Sequence, residues 1–304
     1  MFGDVILGST AAQYLREQNP GKKIIYITCC SALTETNPYI DFSIEIKIHR
    51  KFDGFVFKLI KFFFRDAIYL KHWLPNKNIL DSYMSSAGFH EKKFLPKIFL
   101  TNDDLNLARE ILISQTKGST SKPTIAVQAD FDRKWNKEEF VKLKDNLRTR
   151  YNLIEIGAGI SYGSKKLNFR ESAALISVCD LFIGAVSGNL HAAAAVNLPT
   201  IATPNVFNPE WDMPEFYYSP SKTYHKTVRP FDYNFCGAYD CVKIGKKFIE
   251  VEGGDYSPKE CPRNLPQSCV HSITAKQIKD EIDFFFSNIF LADSNINPNE
   301  INGV

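Results

Sequence analysis

One stretch of the 304-residue chain constrains everything around it: Asp180 to Thr203, Asp-Leu-Phe-Ile-Gly-Ala-Val-Ser-Gly-Asn-Leu-His-Ala-Ala-Ala-Ala-Val-Asn-Leu-Pro-Thr-Ile-Ala-Thr. Leu181, Phe182 and Ile183 form an apolar run ending at Gly184, the pattern of a parallel strand buried on both faces. Ser187 and Gly188 make a turn, and Asn189 to Val196 is alanine-rich, the composition that costs a helix least. Leu198-Pro199 stops that helix. Strand, turn, short helix and second strand in one span is an αβ unit. The first N–H groups of its helix, with the positive end of the helix dipole behind them, point past the strand's carboxyl end, where an anion would sit. His191, in the first turn, could add a donor. A Ser-Gly turn with a packed histidine is the plainer alternative, and the spacing alone leaves both readings open.

The chain is long enough for two domains, and its 44% hydrophobic content gives each a core. The formal net charge of +3 is too small to demand a nucleic-acid partner. No apolar run reaches the length of a membrane span, and the opening residues do not read as a signal peptide. The expectation is a cytoplasmic protein. Seven cysteines, an odd number that includes adjacent Cys29 and Cys30, are not the framework of a secreted disulfide scaffold.

From the amino end, Gly3-Asp4 leads Leu7, Ala11, Tyr14 and Leu15 at helical spacing, with a stop at Pro20-Gly21, so residues 4 to 19 are expected to be a helix. Lys23 to Thr28 follows as a β-branched strand. A doubly wound domain places a strand before that helix, at the centre of the sheet, and none is present in the sequence. The expectation is that Met1 is not the natural start and that an apolar strand of about 5 to 10 residues precedes it. Residues 47 to 73 interleave basic and aromatic side chains. They read either as ordinary core and solvated face or as a surface for anionic lipid or glycolipid, a peripheral contact with the inner face of a membrane. Ile79 to Ala87 reads as a helix, Phe94 to Leu100 as an edge strand, and Asn102 or Asp103 as the cap of a helix reaching Ser114.

Thr116 to Pro123 is the clearest linker. Beyond it come strand Thr124 to Gln128, helix Lys137 to Arg148 and strand Asn152 to Ile156, a βαβ restart whose first loop carries Arg133, Lys134 and Trp135. That loop lies at a strand's carboxyl end, where open α/β sheets collect ligands, and Lys134 is a phosphate candidate there as well as an ordinary solvated lysine. Gly157-Ala-Gly159-Ile-Ser-Tyr-Gly163 is not followed at once by a helix, so it is a weak dinucleotide signal. The next helix opens at Asn168-Phe-Arg-Glu171, a capping-box pattern. Loops 129 to 135, 157 to 164 and 185 to 189 therefore share one rim.

Gly3-Asp4 leading a helix, the Lys134-Trp135 loop, Asn168-Phe-Arg-Glu-Ser-Ala-Ala-Leu-Ile, Cys179-Asp-Leu-Phe-Ile-Gly and Ser187-Gly-Asn-Leu-His-Ala-Ala-Ala-Ala, in that order, resemble the ADP-heptose:lipopolysaccharide heptosyltransferases, glycosyltransferase family 9. The likeness runs from about residue 3 to residue 285 and is strongest in the second half. It implies an α/β protein of GT-B architecture, two Rossmann-like doubly wound parallel-sheet domains facing a cleft. Residues 1–117 would form the acceptor-side domain, residues 118–290 the nucleotide-sugar domain and residues 291–304 a tail. It further implies inverting transfer of a heptose-like sugar, ADP-heptose favoured as donor, to a glycan, glycolipid or protein acceptor, with no cofactor required for catalysis. Asp4 matches the family's general base. Lys134 matches its phosphate lysine, and Gly3, Ser187, Gly188, Asn189 and His191 fall in its binding motifs. Val186 stands where the family has an acidic residue, and valine cannot hydrogen-bond a sugar hydroxyl.

Cys236, Cys241, Cys261 and Cys269 cluster in the last third without the two tight knuckles of a zinc ribbon. Relatives of the family carry a cysteine cluster near this place, in one branch as an iron-binding element of assembly. A structural zinc or iron and reduced structural thiols are both open from the spacing. Three functions follow: a sugar transferase, a degenerate GT-B protein that binds nucleotide-sugar without turnover, and a metal-bearing assembly module. Helix Thr274 to Phe286 closes the fold.

Overall fold

In a computed structural model of the chain, the described residues are 2–46, 58, 60, 67, 68, 70, 78–90, 94–118, 122–129, 135–157, 160–163, 165–204, 213–218, 223–229, 248–251, 255–258 and 272–290. Lys134, the basic-aromatic segment 47 to 73 for nearly all its length, the four clustered cysteines and the 291–304 tail lie outside them.

The first helix, α1 (Phe2–Gln18), is buried on almost every side, with Gly3, Val5, Ile6, Leu7, Gly8, Ser9, Thr10, Ala11, Ala12 and Tyr14 all inaccessible. Its small residues allow neighbouring elements to approach closely, and its apolar ones fill the core on more than one side. Strand β1 (Ile25–Thr28) pairs in parallel with β2 (Phe42–Glu45), Ile25 opposite Phe42 and Ile27 opposite Ile44. Among the described residues this is a two-stranded sheet. Helix α2 (Ile79–Ser86) starts at Asn78, whose side chain accepts the N–H of Asp81 at 2.8 Å. Helix α3 (Asn102–Thr116) starts one residue earlier than expected. Thr101 is its cap, in a reciprocal capping box with Asp104.

Phe94 to Leu100 is not the expected strand. Pro96 has no N–H for a ladder, and the polar backbone atoms here go elsewhere. Phe94 donates to the Tyr14 hydroxyl, Pro96 accepts from Tyr218, Ile98 donates to Ala195, and Phe99 accepts from Thr36 and Arg170.

The second half is a doubly wound parallel sheet. Its strands are β3 (Thr124–Gln128), β4 (Asn152–Ile156), β7 (Leu181–Ala185), β8 (Thr200–Thr203) and β9 (His225–Thr227), in the order β4-β3-β7-β8-β9. A small antiparallel pair, β5 (Ser161–Tyr162) with β6 (Lys165–Lys166), occupies the rim after β4. Helix α4 (Lys137–Arg148) covers one face with the closing helix α8 (Ala275–Phe285). Phe140, Leu143 and Leu147 of α4 and Ile278, Ile282 and Phe285 of α8 pack there on Ile125, Val127, Leu181, Ile183 and Ile201. Helix α5 (Phe169–Ser177) and helix α6 (Gly188–Ala195) cover the other, where Ala173, Leu175, Ala192 and Ala193 meet Ala126, Phe182 and Ala202. Burial on both faces explains why β7 reads as an unbroken apolar run. The short helix α7 (Pro214–Tyr217) precedes β9, and β10 (Phe248–Val251) and β11 (Asp255–Pro258) form an antiparallel pair inside the cysteine-containing segment. No described helix is long and apolar enough to cross a membrane.

Candidate active site

The turn from β7 into α6 is held from below. Gln128, at the carboxyl end of β3, accepts the N–H of Ala185 at 3.0 Å and the hydroxyl of Ser187 at 3.1 Å through the same Oε1. A side chain on Gly184 would come within 2.6 Å of that oxygen, so glycine is what lets Gln128 reach the turn. Ser187, with extended backbone, caps α6 by accepting the N–H of Leu190 at 3.2 Å. Its hydroxyl therefore donates and accepts within the turn and fixes the direction of the helix. Asn189 is half-buried in the first turn of α6, and Val186 is half-buried against the apolar core. Gln128 carried no motif signal, because its role depends on the strand order.

Against this turn sits the start of α1. Phe2 stacks on Phe169 with ring centroids 4.3 Å apart, and any side chain on Gly188 would press on the Phe169 ring at 3.1 to 3.2 Å and on the Phe2 Cβ at 3.2 Å. Gly3 meets His191 directly: a Cβ on Gly3 would lie 2.4 Å from the imidazole Cδ2. Asp4 is half-buried in the first turn of α1, and its Oδ1 accepts the Tyr83 hydroxyl at 2.7 Å. The structure thus brings together Gly3, Asp4, Ser187, Gly188, Asn189 and His191, which are far apart in the chain.

His191 is 6% exposed, and its Nδ1 is hydrogen-bonded to the hydroxyl of Tyr217, itself fully buried. Burial pushes the imidazole down to about 4, against the opposing pull of the Asp4 carboxylate. The ring is neutral at pH 7 and acts by shape and hydrogen bonding, not by positive charge. Trp135, just ahead of α4, donates its indole N–H to the Ile273 carbonyl at 2.8 Å. Among the described residues no group of three or more His, Cys, Asp or Glu side chains is placed to hold a metal ion.

A second cross-connection sits behind the site. Arg170 of α5 is buried. It donates to both carboxylate oxygens of Asp104 at 2.6 to 3.1 Å, to the Ala32 carbonyl at 3.1 Å and to the Phe99 carbonyl at 2.8 Å. Burial works against the Asp104 charge, yet the Arg170 and Thr101 donors win and hold its carboxyl at about 2. One guanidinium therefore ties α3, the 31–36 turn and the 94–101 segment to the second sheet.

The model of glycosyltransferase family 9 (heptosyltransferase) matches residues 164–210, which contain α5, β7, the capped turn and α6. No curated protein sequence matches the chain. Among solved structures, the glycosyl transferase family 9 protein from Veillonella parvula is similar over 93% of each chain, with 19% identity and a TM-score of 0.62. The E. coli ADP-heptose lps heptosyltransferase II is similar over 96% of this chain and 97% of its own, at 14% identity and a TM-score of 0.62. The iron-containing dodecameric glycosyltransferase TibC from enterotoxigenic E. coli is similar over 94% of this chain and 74% of its own, at 15% identity and a TM-score of 0.57. These likenesses establish the α/β fold with parallel sheets as that of the family's solved structures, the GT-B architecture. The family match thus falls on the turn that receives Gly3, and the fold is shared over nearly the whole chain with solved glycosyltransferase family 9 structures.

Proposed function

We propose that the protein transfers a heptose-like sugar, with inversion, from a nucleotide-diphosphate donor to a hydroxyl group of a glycan, glycolipid or protein. The observation that carries this reading is the meeting of Asp4, on the first turn of α1, with the capped N-terminus of α6 at Ser187, Gly188 and His191. A carboxylate and a helix N-terminus on one site are the two groups that metal-free glycosyl transfer asks of a protein. In the step, Asp4 takes the proton of the acceptor hydroxyl as its oxygen bonds to the anomeric carbon. The bond from that carbon to the donor's phosphate oxygen breaks, and its electron pair leaves with the nucleotide diphosphate. The α6 N-terminus, through the N–H groups of Gly188 and Asn189, and Lys134 take up the charge that grows on the leaving group. His191 adds no charge and sets the wall against which Gly3 and Asp4 are placed.

ADP-heptose is the favoured donor. One solved structure of TibC, similar over 92% of this chain with a TM-score of 0.55, is in complex with ADP-D-beta-D-heptose. A second reading, binding of nucleotide-sugar without turnover, is favoured by Val186, which packs against the core and offers the donor sugar no polar group. The two separate in one assay. Wild-type protein incubated with ADP-heptose, alone and with glycan acceptors, releases ADP under the first reading. A thermal shift with ADP-heptose and no ADP release supports the second, and neither shift nor release contradicts both.

A further inference from the structure

Tyr83 belongs to no motif, yet its side chain reaches the Asp4 carboxylate, donating to Oδ1 at 2.7 Å. Its place is set by packing. Helix α2 is capped by Asn78, and Ile79, Leu80, Tyr83 and Met84 are buried with Leu7, Ala11 and Tyr14 of α1. The Tyr83 side chain is thus fixed before any ligand arrives, and a buried phenol that lost its acceptor would carry the full cost of an unpaired polar group. Burial, then the neighbouring Asp4 charge, push the Tyr83 hydroxyl far above its ordinary range, so it remains a donor throughout the working pH range. Two further described groups that feel the Asp4 charge are neutral as well. On β1, the Tyr26 phenol is raised by burial, with Cys29 and Asp4 adding to it. On α6, the His191 imidazole is held neutral by burial. Gly8 makes this crowding feasible, since a Cβ there would stand 2.9 Å from the Tyr26 hydroxyl.

We propose that Tyr83 is a positioning residue for the transfer reaction: its hydroxyl pins Oδ1 of Asp4 and sets the plane of the carboxylate. This rests on the reading of Asp4 as the base. A donor to the ionised form of a carboxyl favours that form, so Tyr83 also keeps Asp4 deprotonated at lower pH than it would otherwise be. The arrangement trades some basicity for orientation, and orientation is the larger lever when two reacting atoms must be held in line.

The test reads the carboxyl itself and needs no turnover. Full-length protein labelled with carbon-13 at aspartate carboxyl carbons is titrated by NMR, with the Asp4 signal assigned by its loss in Asp4→Asn. Tyr83→Phe is expected to raise the Asp4 midpoint by about one pH unit. Replacing Tyr83 with 3-fluorotyrosine, which keeps the ring and strengthens the donor, is expected to lower it. An Asp4 midpoint that stays put in folded Tyr83→Phe overturns the proposal. Should Tyr83→Phe not fold, the fluorotyrosine protein decides alone, and an unmoved midpoint there overturns it equally. ADP release by Asp4→Asn is measured separately. Undiminished release sinks the base reading without touching the titration, whereas lost release with unmoved titrations sinks Tyr83 alone.

Discussion

Gly3 lies so close to His191 that a Cβ on the glycine would stand 2.4 Å from the imidazole Cδ2 and 3.3 Å from Nε2. The glycine of one motif and the histidine of another are two sides of a single contact, made 188 residues apart in the chain. His191 cannot retreat freely, because the Tyr217 hydroxyl is hydrogen-bonded to Nδ1 on the opposite edge of the ring. Gly3→Ala should therefore destabilise the protein by about 1 to 3 kcal/mol, the range of an overpacked core. His191→Ala, which removes the obstacle, should recover part of the Gly3→Ala loss in the double variant. Thermal unfolding of the four proteins of the cycle measures this, and strictly additive losses would show that the two residues do not share a contact.

The pH dependence of stability follows from buried imidazoles. His191 and His225 are both driven to about 4 by burial, below the ordinary value near 6.5. The unfolded chain then binds more protons than the folded one between these values, so stability is full above about pH 6.5 and falls as pH drops towards 4. Asp104 has a depressed carboxyl at about 2, and its contribution, full above the ordinary carboxylate range, is lost only as pH falls on towards 2. Urea midpoints should be flat from pH 7 to 8 and decline from pH 6.5 to 4. His225→Gln should make the decline shallower. A wild-type midpoint unchanged down to pH 4 would contradict the neutral, buried state of these rings.

Arg170 and Asp104 form a buried ion pair whose geometry is a fork on a carboxylate. Arg170→Ala removes the guanidinium from the Asp104 carboxylate and from the Phe99 and Ala32 carbonyls, a change that costs about 3 to 5 kcal/mol for a buried pair. Arg170→Lys keeps the charge but not the fork, and should recover only a minor part. Chemical denaturation reads both, and a loss below about 1 kcal/mol for Arg170→Ala would mean that the guanidinium is not the tie the geometry implies.

Much of the second half could be read from residues close in sequence. The capping box of Asn168 and Glu171, the run at Leu181 to Ile183 and the alanine-rich helix after Ser187 are local signals, and each element forms where its own sequence places it. What escaped was set by distant partners. β9 is three residues, His-Lys-Thr, with no apolar alternation, and becomes a strand because β8 offers it an edge. Phe94 to Leu100 has the apolar content of a strand, but its carbonyls are claimed by Tyr218, Thr36 and Arg170. At the site, Gly3, Asp4, Ser187, Gly188, Asn189 and His191 were legible as motifs. Gln128, Tyr83 and Tyr217 were not, because a buried glutamine or tyrosine acquires its role only from the residue it faces.

Lys134, outside the described residues, enters through its loop and the resemblance. If it meets the donor's phosphates, Lys134→Ala should weaken ADP binding by tenfold or more, on the order of 1.4 kcal/mol, and leave adenosine binding little changed. Calorimetric titration with both ligands compares the two, and equal losses would argue against a phosphate role.

The central claim is that Asp4, placed against the α6 turn, is the base of a sugar transfer. The direct measurement is the rate of ADP release from ADP-heptose by wild-type and Asp4→Asn protein, with the fold of the variant checked by thermal unfolding. A folded Asp4→Asn protein should be slower by about 10²- to 10⁴-fold, the usual worth of a positioned general base. A folded Asp4→Asn protein that releases ADP at the wild-type rate would contradict the account.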